Sequence, residues 1–240
     1  MPRFFVPDPP REHAIFILPE ASAHHAARVL RLAVGDALVL FDGSGCEWPV
    51  QIARIDRHGV VVQVGEGLQV QRESPLKVTL IQGISSGERM DFTLQKAVEL
   101  GVSHIQPVST VRSVVRLSGE RALKRQQHWQ QLVIAACEQC GRNVIPEVAA
   151  VMPLVDVLGQ ALAGLRLLLD PLGALSLHEL DVPDQPVRLL AGPEGGFDPA
   201  ERALALQNGF IGVRLGPRVL RTETAALAAI SAMQVLWGDF

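Results

Sequence analysis

Leu189-Leu190-Ala191-Gly192-Pro193-Glu194-Gly195-Gly196-Phe197-Asp198 is the stretch on which the reading of this chain turns. An apolar strand runs into a loop with three glycines, and a helix follows. Asp198 is a good N-cap and Pro199 suits the first helical position. Glycines at the carboxyl end of a strand let backbone approach a ligand closely. In open α/β sheets that end is where ligands bind. A tight turn that needs positive φ has the same composition, so both readings stand. The spacing is not that of a dinucleotide-binding glycine loop, and no Walker pattern occurs in the chain.

A second junction of the same kind is Leu215-Gly216-Pro217-Arg218-Val219-Leu220-Arg221-Thr222-Glu223-Thr224-Ala225. A strand enters a glycine-proline loop, and Thr222 is placed to cap the next helix. That helix is rich in small residues (Ala225, Ala226, Ala228, Ala229, Ser231, Ala232), which permit close backbone packing. Arg221 and Glu223 lie in the loop or first turn, as a functional pair or as a structural ion pair and cap.

Outward from these loops the pattern is strand–helix alternation. Lys77–Gln82, His104–Val108, Leu165–Leu169, Val187–Ala191 and Ile211–Leu215 read as apolar strands. Helices are expected near Arg89–Leu100, Glu120–Cys140, Leu154–Leu162, Pro199–Asn208 and Glu223–Trp237. The long one carries Trp129, Leu132, Val133, Ala136, Cys137 and Cys140 as a buried stripe and stops at Gly141. This alternation predicts a mostly parallel sheet covered on both faces. Before it, Ala37–Phe41, Trp48–Ile55 and Val60–Val64 are short strands split by Asp-Gly and His-Gly turns, with one helix near Ala21–Leu32. They suggest a small barrel or sandwich, and Gln71-Arg72-Glu73-Ser74-Pro75 is the linker candidate.

Composition narrows the class. The 240 residues favour two modest domains, and 48% hydrophobic content is enough for real cores. No apolar run is long enough for a bilayer, and residues 1–10 do not read as a signal peptide, so no membrane is expected and the cytoplasm is the default. Cys46, Cys137 and Cys140 are too few for a disulfide framework. Cys137-x-x-Cys140 lies inside the apolar stripe with no second ligand pair, so core thiols and no metal are expected. The net charge of −3 argues against a general polycation and leaves room for local basic patches. Arginines number 19 against 3 lysines. Coding bias explains that ratio as well as a preference for phosphate does.

Together GPEGGF and LGPRVLRTETA resemble the signature loops of the RsmE family of 16S rRNA uridine-N3 methyltransferases, in the SPOUT superfamily. Met1-Pro2-Arg3-Phe4-Phe5 is similar to the family's start. His25, Arg28-Val29-Leu30-Arg31, Gly35-Asp36 and Phe41-Asp42-Gly43 follow in order. So do Lys96, Glu99-Leu100-Gly101-Val102, Pro107, Arg112-Ser113, Ala136 to Arg142 and Ile145-Pro146. The resemblance implies an α/β chain in two parts: a PUA-like RNA-binding β-barrel over residues 1–72 and a SPOUT trefoil-knot methyltransferase domain over residues 73–240. Knots are otherwise essentially absent from folds, so periodicity does not predict one. It also implies a homodimer, 16S rRNA or the assembled small subunit as partner, and S-adenosylmethionine held by the two loops. Leu190, Gly192, Glu194, Gly195 and Gly196 match the first loop; Leu215, Gly216, Leu220 and Thr222 match the second.

Physical chemistry gives these residues roles. Methyl transfer needs the nucleophile held in line with the sulfonium. Uracil N3 is a poor nucleophile until its proton leaves, so a base or anion-stabilising group helps. Arg221 suits the uracil oxygens, and Glu223 suits the proton or the orientation of Arg221. A carboxylate, Glu194 or Glu223, favours a positive sulfonium. Glu138 and Arg142 are four apart, as an intrahelical ion pair or a further site contribution. For RNA, His24, Arg28 and Arg31 recur at i, i+4 and i+7, with Ala26, Val29 and Leu30 turned inward, as a basic stripe or merely a solvated face. Arg112, past a strand end, and Arg3 complete the RNA candidates. A ribose 2′-O methyltransferase of the same superfamily and a non-catalytic RNA-binding assembly protein are the competing functions.

Overall fold

The computed structural model describes residues 1–8, 10–161 and 163–240, which cluster into two compact units. The first comprises Met1–Glu73 with Cys137–Ile145, the second Ser74–Ala136 with Pro146–Phe240.

The first unit is a six-stranded sheet. Its elements are β1 (Arg3–Phe5), β2 (Ile15–Ile17), α1 (Glu20–His24), β3 (Ala37–Phe41), β4 (Cys46–Asp56), β5 (Gly59–Val64) and β6 (Leu68–Gln69). The order is β1-β3-β4-β5-β2, with β6 on β4. β1 runs parallel to β3, and the other pairs are antiparallel. Period-2 alternation sends Leu38 and Leu40, Trp48, Val50 and Ile52, and Val60, Val62 and Val64 into one core, closed by Phe4, Ala23 and Ala26. The strands at Ala37–Phe41 and around Trp48–Ile55 and Val60–Val64 are where alternation puts them. The helix expected over Ala21–Leu32 differs: α1 passes into a π-helical turn, His25–Val29, and Arg31 has φ of 56°. The extra residue in that turn breaks the 3.6-residue register, so Ala26 is buried while Val29 and Leu30 are exposed.

A buried charge cluster holds this unit. Glu47 Oε2 accepts from Arg3 Nη1 at 2.8 Å, Arg72 Nη1 at 2.7 Å and Asn143 Nδ2 at 3.0 Å. Arg3 also reaches Asn143 Oδ1, and Arg142 is paired with Glu73. Glu138 Oε1 accepts the Phe5 N–H at 2.9 Å. Arg142 lies past the end of the long helix, so Glu138 and Arg142 find separate partners in place of the i,i+4 pair.

The second unit is a seven-stranded, all-parallel sheet. In chain order it has β7 (Val78–Gly83), α2 (Gly87–Glu99), β8 (His104–Ser109), α3 (Gly119–Cys140), β9 (Glu147–Val148), β10 (Met152–Pro153), α4 (Leu154–Leu158), β11 (Leu165–Leu169), β12 (Val187–Ala191), α5 (Pro199–Gln207), β13 (Ile211–Val213) and α6 (Thr222–Trp237). The last three residues of α3 and Cys137 cluster with the first unit. The helix expected over Leu154–Leu162 stops at Leu158, and Leu162 lies outside the described residues. Strand order is β10-β8-β7-β12-β11-β13, with β9 on β8. Ile81, Val108, Leu168 and Leu190 pack with α4 and α5 through Leu154, Val157, Leu158 and Ala205. On α2 and α6, which contact each other, Leu94, Ala97, Val98, Ala226, Ala229, Ile230 and Met233 are all buried. From β13 at the sheet edge the chain therefore returns to the middle, where α6 meets β12 and α2. Cys137 is buried in the stripe, and burial pushes its thiol up to about 12, so it is inert at neutral pH.

Burial raises the Glu47 carboxyl, but donors from Arg72, Arg3 and Asn143 outweigh it and hold the group near a pKa of about 2. Its folded value lies below its ordinary 4.5. Its stabilisation is therefore complete above about pH 4.5 and is lost as pH falls towards about 2. Glu47→Gln should destabilise the protein by about 3 kcal/mol at pH 7. Urea unfolding at pH 7 and pH 3 should show that difference shrinking in acid.

Candidate active site

Three loops at the carboxyl ends of β11, β12 and β13 line one cavity of about 590 Å³, within the range of small-molecule sites. They contribute Leu168–Leu172, Ala191–Phe197 and, between Leu215 and Ala225, every residue but Pro217 and Thr224. Parallel strands place all their carboxyl ends on one edge, so loops distant in sequence converge there.

The β12 loop leaves the sheet under tight constraint. Gly83, the last residue of β7, has no room for a side chain: an added Cβ would lie 2.5 Å from Pro193 Cδ. Beside it Gln82, fully buried, points one amide nitrogen at three acceptors: Gly83 O at 3.0 Å, Gly192 O at 3.3 Å and Thr222 Oγ1 at 3.2 Å. The Thr222 hydroxyl in turn donates to Gly192 O at 2.5 Å. One amide thus ties the end of β7, the first loop and the start of α6. Three acceptors around one nitrogen fix the orientation of that amide, and Gln82 Oε1 is left buried with no protein partner. Thr222 is consequently not the helix cap; Arg221 occupies that position and Thr222 is the first helical residue. Asp198 caps α5 as its sequence indicates, accepting from Ala200 N, with Glu201 closing the capping box.

Three carboxylates, Asp170, Glu194 and Glu223, share the polar lining with four arginines, Arg89, Arg202, Arg218 and Arg221. Glu194 Oε1 accepts the Ser86 N–H at 2.8 Å and Arg89 Nη1 at 3.2 Å. Burial raises its pKa, but the donors at Ser86, its own backbone and Arg89 win, so the net shift is downward and the group is charged at neutral pH. Its other oxygen, Oε2, is buried without a partner, and so is Glu223 Oε2. Asp170, buried at the end of β11, takes Arg202 Nε and Nη2 at 2.7 Å each and the Leu172 N–H at 2.9 Å.

The cavity gathers Gly192, Glu194, Gly195, Gly196, Leu215, Gly216, Leu220, Arg221, Thr222 and Glu223. Among the described residues Arg221 and Glu223 form no ion pair with each other. Leu190 is fully buried in the sheet below and does not line the cavity. Arg112 leans on the first loop, donating from Nη1 to Gly195 O at 3.1 Å. The Arg3 side chain, 10% exposed, is engaged with Glu47. His24, Arg28 and Arg31 are exposed, but the π-helical turn removes their regular spacing. Sequence reasoning missed Gln82, Arg89, Asp170 and Arg202. The β11 loop was within reach: Leu169-Asp170-Pro171 is a third strand end, to which the same ligand argument applies. Among the described residues no group of three His, Cys, Asp or Glu side chains is placed to hold a metal ion.

The cavity's chemistry suits S-adenosylmethionine. Glu194 and Glu223 line the cavity, each with one buried oxygen that no protein group bonds, and bring negative charge towards a cationic, donor-rich molecule, while the loop glycines leave backbone groups accessible.

Comparison with known proteins gives the same direction. A family model described as an RNA methyltransferase domain matches residues 72–234, and one described as an RNA methyltransferase PUA domain matches residues 18–65. The ribosomal RNA small subunit methyltransferase E of Buchnera aphidicola subsp. Schizaphis graminum is 34% identical over 240 residues, covering 100% of this chain and 98% of that protein. The crystal structure of a ribosomal RNA small subunit methyltransferase E from Neisseria gonorrhoeae, bound to S-adenosyl methionine, is 42% identical. It aligns with a TM-score of 0.93 over 100% of this chain and 99% of that one. A protein from Legionella pneumophila, solved in complex with the same cofactor, is 40% identical with a TM-score of 0.94, covering 99% of this chain and 98% of that one.

Two substitutions test the geometry. Gln82→Leu should cost about 2 kcal/mol by removing the amide that joins Gly83, Gly192 and Thr222, and should weaken S-adenosylmethionine binding about 10-fold, as read by thermal unfolding and calorimetry. Gly195→Val puts a Cβ 3.0 Å from Arg112 Cβ. It should abolish that binding, and unchanged calorimetric affinity would show that the loop does not hug the ligand.

Proposed function

The chain belongs to the ribosomal RNA small subunit methyltransferase E family, and from that premise we propose that it methylates the N3 atom of one uridine in 16S ribosomal RNA. It is an S-adenosylmethionine-dependent rRNA methyltransferase, built as a SPOUT-type α/β trefoil-knot domain with a PUA-like barrel. The cofactor, when bound, supplies an electrophilic methyl group on a sulfonium. The observation that carries the finer reading is that Glu194 and Glu223 line one cavity and each keeps a buried oxygen without a protein partner.

The residues divide the work as follows. Gly192, Glu194, Gly195, Gly196, Leu215, Gly216, Leu220 and Thr222 hold the cofactor, with Leu190 supporting the loop from beneath. Glu194, fixed by Ser86 and Arg89, keeps a negative charge in the cavity. The unpartnered oxygen of Glu223 is placed to accept the N3 proton. Arg221, exposed at the start of α6, is free to turn its guanidinium to the uracil oxygens and stabilise their developing charge. Residues 1–72 serve RNA binding through Arg28, Arg31 and His24, and Arg3 holds the barrel that presents them. Residues 73–240 carry the chemistry, with Arg112 bracing the first loop. The substrate is 16S rRNA, free or within the small subunit. The working form is a homodimer in the cytoplasm, a reading supported by exposed Val235, Leu236 and Phe240 at the end of α6. Among the described residues no helix is long and apolar enough to cross a membrane.

Mass mapping of 16S rRNA from cells with and without the gene should show one missing base methyl group. A missing ribose methyl would favour 2′-O transfer, and loss of nothing would favour an assembly protein. Arg221→Ala and Glu223→Gln should each lower turnover about 100-fold; cofactor affinity should change little in Arg221→Ala and fall in Glu223→Gln, which also removes a negative charge from the cavity. Two unchanged turnover numbers would overturn their assignment.

A further inference from the structure

We propose that the exposed side of the first half of α3 is a second RNA-binding surface, a cationic strip on the catalytic unit that leads the phosphate backbone to the cavity. The inference rests on the rRNA methyltransferase reading and adds the means by which this unit holds its substrate.

Arg121, Lys124, Arg125 and His128 recur at i, i+3, i+4 and i+7 and therefore share one side of the helix. Arg121, Lys124 and His128 are exposed and Arg125 is half-buried, while Trp129, Val133 and Ala136 face the core. The strip is not background composition. The whole chain has 22 Lys and Arg against 25 Asp and Glu. From Arg112 to His128 there are five cations (Arg112, Arg116, Arg121, Lys124, Arg125) and a single acid, Glu120. Among the described residues, Arg121 and Lys124 have no ion-pair or hydrogen-bond partner, so their charge is unanswered within the protein. His128 differs, being held by Asp91 at 2.9 Å.

Geometry gives the strip a direction. The Arg125 guanidinium lies over the Trp129 ring at 6.0 Å, and a stacked guanidinium keeps its in-plane N–H groups available. Its Nη2 is 3.8 Å from where a Cβ on Gly87 would sit, so the strip abuts the first residue of α2. Two residues further on, Arg89 lines the cavity and pairs with Glu194. Cations thus run along α3 and resume at Arg89 on the cavity rim, with Glu88 and Asp91 of α2 between them. Exposed cations at this spacing hold phosphate without reading sequence. That suits a surface whose task is to position RNA while other groups select the base.

Arg121→Gln/Lys124→Gln removes two exposed charges that have no hydrogen-bond or ion-pair partner among the described residues, so the melting temperature should be unchanged. Filter binding of 16S rRNA across a salt series should show affinity lowered about 10-fold, and the slope of log K against log salt less steep by about 1.5. In turnover assays KM for RNA should rise while kcat and the affinity for S-adenosylmethionine stay as in the wild type. Arg121→Lys/Lys124→Arg should restore the binding. An unchanged RNA affinity and salt slope, or a fall in kcat at constant KM, would overturn the strip. Equal loss of binding to anionic lipid vesicles would overturn it as an RNA surface. Filter binding requires no turnover, so the strip is tested even where the wild type proves to methylate nothing, and the two readings fail separately.

Discussion

The second unit depends on one buried amide. Gln82 has no exposure, and its nitrogen meets acceptors from the end of β7, the loop after β12 and the start of α6. These segments come from three parts of the chain and converge only because parallel strands deliver their carboxyl ends to one edge. Close packing reinforces the contact, since Gly83 and Pro193 leave no space for a Cβ between them. A loop rich in glycine would otherwise lose considerable conformational freedom on binding a ligand. Here the protein fixes beforehand the start of the first loop, at Gly192, and the end of the second, at Thr222, which is preorganisation in the ordinary sense.

The charged groups divide into satisfied and unsatisfied. Glu47 and Asp170 are surrounded by donors and serve architecture. Glu194 is half of each kind: one oxygen is bonded to Ser86 and Arg89, and the other has no protein partner. Glu223 Oε2 shares that condition. Buried polar atoms are nearly always paired, so two unpaired carboxylate oxygens on one cavity mark the place where a ligand's donors and positive charge belong.

Much of this was legible in the sequence. Leu165–Leu169 and Val187–Ala191 form strands at the residues where apolar runs end in turn signals, and both glycine loops fall at strand ends. Ten of the residues chosen for cofactor or catalysis line one cavity, because fold and motif agree about that edge of the sheet. What was not legible depended on contacts distant in sequence. Gln82 reads as an ordinary strand residue until Gly192 and Thr222 come within reach, more than a hundred residues later. Arg3 resembles a free terminal cation until Glu47 and Asn143 enclose it. The spacing of His24, Arg28 and Arg31 assumes a regular helix, and one π-helical turn invalidates the count.

The first compact unit recruits Cys137–Ile145 across a gap of more than sixty residues. Asn143 completes the bonds around Glu47, and Glu138 receives the Phe5 amide. On a translating ribosome the amino-terminal sheet is therefore made long before the pieces that finish its charge cluster. Until position 145 clears the exit tunnel, Arg3 and Glu47 have an incomplete set of partners. Synthesis order and folding order must part company here, and an isolated fragment ending at the linker would lack part of its own interior.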